Sequence, residues 1–244
     1  DGPATRLRLA KALVLARIDG QRRYLLRSTR QDDDRPEVVR VALRDLAYAL
    51  EQASRAASID TLRGHEGTAA RAYWNAFNHL LADSVPDSLR FTGRTRRPAT
   101  DRLSALLNFG YGMLQTAVMR ALLTAGLEPA LGFYHTPRSA AHPLVLDLME
   151  PFRLLLWDMP LIGALNRTQF DPADDFAVTR GSVWLTDDGR RKAIGLFENR
   201  LEETWKHPVV GYSLSYARTL ELEARLLEKE WSGEPGLFAR LRLR

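Results

Sequence analysis

Apolar residues fall at helical spacing over most of the chain, which predicts a mainly α-helical protein. Residues 4 to 18 carry Leu9, Leu13 and Ile18 on one stripe, with Arg6, Arg8 and Arg17 between them. QDDDRPEVV breaks that run, and Pro36 suits the first position of a second helix bearing Val39, Leu43, Leu46 and Leu50. Ser58 or Asp60 caps a third helix, which runs through Glu66 to about Leu81. ADSVPDSLRFTGRTRRPAT has turn residues and no period, so it reads as a loop. Asp101 then caps LSALLNFGYGMLQTAVMRALLTA, apolar on nearly all sides and ending at Gly126, which should be the central helix. LEPALGFYHTPRSAAHP is a linker, and LVLDLMEPFRLLLWDM is helical again with Pro151 in its middle. FAVTRGSVWLTDDGR reads as a small β-hairpin with an Arg-Gly turn and a second turn at Asp-Asp-Gly. KAIGLFENRLEETWK and YSLSYARTLELEARLLEKEW close the pattern as two amphipathic helices. The expectation is one helical domain over residues 1–244 with a small hairpin insert.

Composition narrows the chemistry. In 244 residues, 45% hydrophobic, there is enough apolar surface for a real core. No cysteine is present, which excludes disulfides and thiolate metal sites and fits a reducing compartment. No apolar run approaches the ~18 residues that span a bilayer, and DGPATRLRLAKALVLARIDG lacks the form of a signal peptide, so a cytoplasmic protein without a membrane anchor is expected. The net charge of +5 is a weak pointer to a polyanion, but its distribution says more. RFTGRTRRPATDR holds Arg90, Arg94, Arg96, Arg97 and Arg102 against one acid, Asp101. Five guanidinium groups on a loop suit phosphate contacts, although a solvated basic loop would look the same.

Two stretches can carry a reaction. Glu66 shares a helix face with Leu62, Ala70 and Tyr73, so it should be partly buried. A buried carboxylate needs an arginine, a proton or a metal to offset its desolvation. Gly64 and Gly67 beside it leave room for a ligand or another backbone. The second stretch is GFYHTPRSAAHPLVLDLMEPFR, with His135, Asp147 and Glu150. Asp147 and Glu150 repel on one helix face unless a cation lies between them, and Pro151 should kink or restart the helix at that pair. A capping histidine and a solvated acidic face are the plainer readings. Taken together, several carboxylates and one imidazole suit Mg²⁺ or Mn²⁺, and beside a basic surface that points to phosphodiester chemistry. No Walker loop, GxGxxG, GxSxG or HExxH motif competes.

These segments resemble the CRISPR-associated adaptation integrase family, Cas protein one. LRGHEGTAARAYW is similar to the family's L-x-G-x-E-G-x-A-A-r-x-Y-F/W segment. RTRRPATDRLSALLNFGYGML and LGFYHTPRSAAHPLVLDLMEPFR resemble two further segments in the same order, and ARIDGQRRYLL resembles a K-I-x-N-Q-r-x-L-L helix. Ser104, Ala99, Arg17 and Gly20 depart from the pattern, and none of them removes a ligand. The resemblance implies that Glu66, His135 and Glu150 hold the metal and that Asp147 assists. Tyr111, His65 and Arg94 match positions near the family's site. It implies a DNA endonuclease and integrase, in which a 3′-hydroxyl of protospacer DNA attacks a phosphodiester at the CRISPR leader–repeat boundary. Arg138 and the arginine loop would hold phosphates. A homodimer bridged by a small partner, Cas protein two, is implied, as is fusion to a nuclease or reverse transcriptase in some members. The family's N-terminal β-rich domain has no counterpart here, so only the helical catalytic part is expected. The alternative is a non-catalytic helical subunit that binds DNA or scaffolds an adaptation complex.

Overall fold

A computed structural model describes residues 2–29, 35–91, 93, 98–136, 142–234 and 236–241. Helix α1 (Pro3–Ser28) starts on a proline, whose missing N–H costs nothing in a first turn. It carries the stripe of Leu9, Leu13 and Ile18 on past Gly20 to Tyr24 and Leu25, and ends before the polar break that begins at Gln31. α2 (Glu37–Arg55) begins one residue later than expected, with Pro36 just outside it. Its buried seam of Ala42, Ala49 and Ala53 lets it lie close against both α1 and α3 (Ile59–Ala76). Ser58 caps α3, accepting from the Thr61 N–H at 3.1 Å. A short 3₁₀ turn, Phe77–Leu80, finishes that helix.

Helix α4 (Arg102–Thr124) is capped by Asp101, whose Oδ1 accepts from Ser104 N–H at 2.7 Å. It packs against most of the later elements, as its all-round apolar sequence requires. Gly110 is the crossing point: a Cβ there would fall 1.8 Å from the Trp157 indole. That indole also donates to the Leu106 carbonyl at 3.1 Å, which locks the crossing.

The Pro151 expectation holds. α5 (Pro143–Met149) stops, Glu150 and Pro151 form a turn, and the chain restarts as helix. The restart passes through a π-helical turn, Leu154–Asp158, into α6 (Met159–Asn166). Such turns widen a helix by one residue and aim side chains that regular geometry would misplace.

Strands β1 (Phe176–Thr179) and β2 (Ser182–Leu185) form the expected antiparallel hairpin, pairing Phe176 with Leu185 and Thr179 with Ser182. Gly181 at its tip has a φ of +83°, where a side chain would be strained. Two expectations need correction. Asp187–Gly189 is not a second turn but the first turn of α7 (Asp187–Glu202), capped by Thr186. Acids there face the positive helix terminus, so the same residues serve either structure. A second hairpin was also missed. β3 (Thr204–Lys206) pairs with β4 (Ser213–Ser215), taking residues assigned to the last two helices. Trp205 stacks on Tyr216 at 5.4 Å and donates to Thr219 Oγ1 at 2.9 Å, contacts a helical continuation would lose. α8 (Tyr216–Trp231) follows, capped by Ser215. The fold is mainly α, with two small hairpins rather than one. Among the described residues, no helix is long and apolar enough to cross a membrane.

Candidate metal and DNA site

The breaks and crossings described above open a cavity of about 800 Å³, lined by residues of α1, α3, α4 and the turn after α5. Glu66 enters from α3, and its Oε2 accepts from the Tyr134 hydroxyl at 2.5 Å. Its other oxygen meets the Arg17 guanidinium from α1. The same Arg17 nitrogen lies 2.7 Å from Glu150 Oε2. Two carboxylates, 84 positions apart in sequence, therefore share one cationic nitrogen. Gly64 and Gly67 meet nothing within 4 Å of where a side chain would begin, and Gly67 lines the cavity, so the space expected beside Glu66 is present.

His135 reaches the same cavity by a rigid route. Asp147 is fully buried and accepts from three successive backbone N–H groups, of Phe133 (2.7 Å), Tyr134 (3.0 Å) and His135 (2.8 Å). Its Oδ1 also lies 2.7 Å from His135 Nδ1. A proton on Nδ1 leaves Nε2 as the basic nitrogen, which is how a carboxylate orients an imidazole for a metal. Asp147 and Glu150 thus do not share one cation between them. Helix α5 ends between the two, so Asp147 turns inward to the 133–135 backbone while Glu150 turns to Arg17 and to Arg153 Nε at 3.0 Å.

The charges are strongly coupled. Burial disfavours the Glu150 carboxylate, but Arg153 and Arg17 outweigh it and hold its pKa well below the usual range. Burial likewise works against the Arg17 charge, and Glu150 and Glu66 more than restore it. For His135, burial lowers and Asp147 raises the pKa, with a net rise. Behind this layer, Tyr111 donates to Asp158 Oδ1 at 2.7 Å and Tyr73 to Oδ2 at 3.2 Å. Burial pushes Asp158 up to about 6 despite both hydroxyls. The Arg153 guanidinium lies 4.5 Å from the Tyr111 ring centre, a cation–π contact.

Among the described residues, no group of three or more His, Asp or Glu side chains is disposed as it stands to take an ion, and Arg17 sits between the two glutamates. The donor chemistry nevertheless fits a hard divalent ion: two carboxylates on one cation, an oriented imidazole beside them and room around Glu66.

The expected DNA-contacting arginines divide. Arg90 donates to the Val85, Asn78 and Ala82 carbonyls, and Arg102 to the Pro172 carbonyl while packing on Phe176. Both help to hold the loop and the start of α4. Arg94, Arg96, Arg97 and Arg138 lie outside the described residues. Arg17, Tyr134, Arg63 and Arg153 were not singled out for the site by sequence reasoning, yet they line or face it. An arginine partner for Glu66 was foreseeable in kind, but no spacing rule points to Arg17 on another helix.

The family described as "CRISPR associated protein Cas1" matches residues 1–199. A Myxococcus xanthus "CRISPR-associated exonuclease Cas4/endonuclease Cas1 fusion" is 50% identical over 98% of this chain, which spans 42% of that protein's length. A Chlorobaculum tepidum "CRISPR-associated endonuclease Cas1 1" is 32% identical over 94% of the chain and is covered over 67% of its own length. Among solved structures, a "Partial Cas6-RT-Cas1--Cas2 complex" superposes with a TM-score of 0.84 at 26% identity, covering 100% of this chain and 71% of the other.

Proposed function

The chain belongs to the CRISPR-associated Cas1 family, and from that membership we propose that it is the metal-dependent catalytic part of a spacer-acquisition integrase and endonuclease. The observation that carries the proposal is the convergence of Glu66 and Glu150 on one cation, beside an imidazole fixed by a buried aspartate. In this reading Glu66, Glu150 and His135 Nε2 hold a Mg²⁺ or Mn²⁺ ion. Bound there, the ion would stabilise charge on the scissile phosphate and lower the pKa of an attacking hydroxyl.

The chain's own residues do the rest. Tyr134 fixes the Glu66 rotamer through Oε2. Asp147 is a positioning residue, setting both the His135 ring and the loop that carries it. Arg153 and Arg63, on the cavity wall, face the phosphates of DNA entering it, and the sequence offers Arg94, Arg96, Arg97 and Arg138 as further phosphate-binding groups. The reaction is attack of a protospacer 3′-hydroxyl on a phosphodiester of the CRISPR leader–repeat. The assembly is a Cas1 dimer bridged by Cas2, in a protein that extends into a nuclease or reverse-transcriptase portion. Relatives named as Cas4/Cas1 fusions and a neighbour named as a Cas6-RT-Cas1–Cas2 complex support the fusion and the Cas2 partner, while the dimer is inferred from the family resemblance alone.

Replacing Glu66 by Ala should reduce Mn²⁺-dependent strand transfer at least about a thousand-fold, with DNA retention on a filter nearly unchanged. Wild-type rates in a correctly folded Glu66→Ala protein would end the assignment. A second reading draws on the Arg17 bridge: a DNA-binding scaffold whose glutamates are balanced by arginine and never take metal. A Mn²⁺ titration separates the two, since the scaffold would give no saturable site.

A further inference from the structure

Among the described residues, Arg17 is the cation that lies between Glu66 and Glu150, where its position works against an ion held by both. If the guanidinium stayed between Glu66 and Glu150, a divalent cation entering there would meet a fixed positive charge at contact distance. We propose that Arg17 is an exchangeable counter-ion: it neutralises Glu66 and Glu150 in the metal-free protein, and the divalent ion binds by displacing it. This rests on the reading of those two glutamates as metal ligands.

Three observations support exchange rather than a permanent bridge. First, one Arg17 nitrogen serves both carboxylates, so a single side-chain rotation releases both together. Second, Arg17 and Glu66 keep 14% and 17% of their side-chain surface exposed, and both line the 800 Å³ cavity, so the guanidinium has somewhere to go. Third, the other arginine on Glu150 is anchored differently. Arg153 lies over the Tyr111 ring and bonds Glu150 through Nε, and rotating it away would forfeit both contacts. Arg153 therefore stays and keeps Glu150 charged and oriented while Arg17 leaves.

The exchange has a physical use. Without Arg17, the buried Glu150 carboxylate and the partly buried Glu66 carboxylate would face each other in the metal-free protein, and one would take up a proton or push the helices apart. With it, the site stays charged and preformed, at the expense of metal affinity. Arg17 thus sets the concentration of metal at which the site fills.

The test is calorimetric titration of MnCl₂ into the EDTA-stripped chain at pH 8, for wild type and Arg17→Met. Met keeps the helical stem and removes the charge. The variant should bind one Mn²⁺ at least about tenfold more tightly. Its metal-free form should melt below metal-free wild type, and the two Mn²⁺-saturated forms should melt together. Arg17→Lys, which keeps the charge, should stay close to wild-type affinity. Should Arg17→Met fail to fold without metal, Arg17→Gln carries the same comparison. Equal or weaker Mn²⁺ binding by the uncharged variants, with wild type binding normally, overturns the exchange. Absence of Mn²⁺ binding in every protein, or binding that survives Glu66→Gln, overturns the metal reading itself, and the exchange with it.

Discussion

Two pairs of glutamates are held in the interior of this basic chain, and their partners differ in kind. Among the described residues, Glu66 and Glu150 are balanced by side chains alone: Arg17, Arg153 and the Tyr134 hydroxyl. Glu223 and Glu230, on α8, are each tied to the backbone that follows the helix, with His207 Nε2 3.5 Å from Glu223 Oε1 as well. Glu230 Oε1 accepts from the N–H groups of Gly236 (2.5 Å) and Leu237 (3.1 Å), and its other oxygen meets Arg8. Glu223 Oε2 accepts from Ala239 N–H at 2.9 Å, holding a residue whose φ is +56°. An acid whose oxygens are bound by backbone N–H groups is committed to one structure, because exchanging its partner means moving the chain. An acid held by an arginine side chain can change partner by a rotation. Burial alone does not account for the difference, since Glu150 is as buried as Glu230, whereas the identity of the partner does.

The contrast predicts opposite phenotypes. The largest effect is on catalysis: Glu66→Ala loses activity about a thousand-fold or more, yet its urea midpoint stays near that of wild type. Glu230→Ala does the reverse. It leaves backbone donors at Gly236 and Leu237 unmet and should cost roughly 3 kcal/mol of stability, while Mn²⁺ affinity of the folded fraction is unchanged. A Glu230→Ala protein that kept its stability but lost the metal would dissolve the distinction.

Asp158 gives the smaller and subtler test. It is buried like Glu230, but two tyrosine hydroxyls are its direct partners. Its folded pKa of about 6 lies above the ordinary value of 3.8. Between those values the folded protein holds a proton that the unfolded chain has released, so this group's contribution to stability falls as pH rises from about 4 to about 6. A shift of that size corresponds to roughly 2–3 kcal/mol across the window. Asp158→Asn removes the titration, so the stability of the variant relative to wild type should climb over that range. Other carboxylates titrate in both proteins and cancel in the difference. Parallel stability curves from pH 4 to 6.5 would show that Asp158 stays ionised.

The fold was legible where one local signal had one meaning. Asp101 as a cap and Pro151 as a break each rest on such a signal, and each expectation holds; at α3, where Ser58 and Asp60 both suited the cap, Ser58 takes it. Legibility failed where a residue type serves two structures equally. Asp187–Gly189 suits a turn or a first helical turn, and Thr204–Lys206 looks like the end of an amphipathic helix until Trp205 finds Tyr216. The site was legible in its parts, and Glu66 is partly buried as its helix face required. Its convergence was not legible from period or spacing. Glu66 and His135 lie on separate segments, so donor chemistry could group them as a metal-suited set, and only the family resemblance singled out Glu66, His135 and Glu150 as the ligands. Arg17 was the least visible of all, because nothing in α1 marks which of its many arginines turns inward.

The central claim, that Glu66, Glu150 and His135 share one divalent ion, is tested most directly by anomalous diffraction from Mn²⁺-soaked crystals. The account predicts one strong peak bounded by both glutamates and His135 Nε2, with the Arg17 guanidinium swung clear. Glu66 and Glu150 still paired with Arg17, and no peak between them at saturating Mn²⁺, would contradict it.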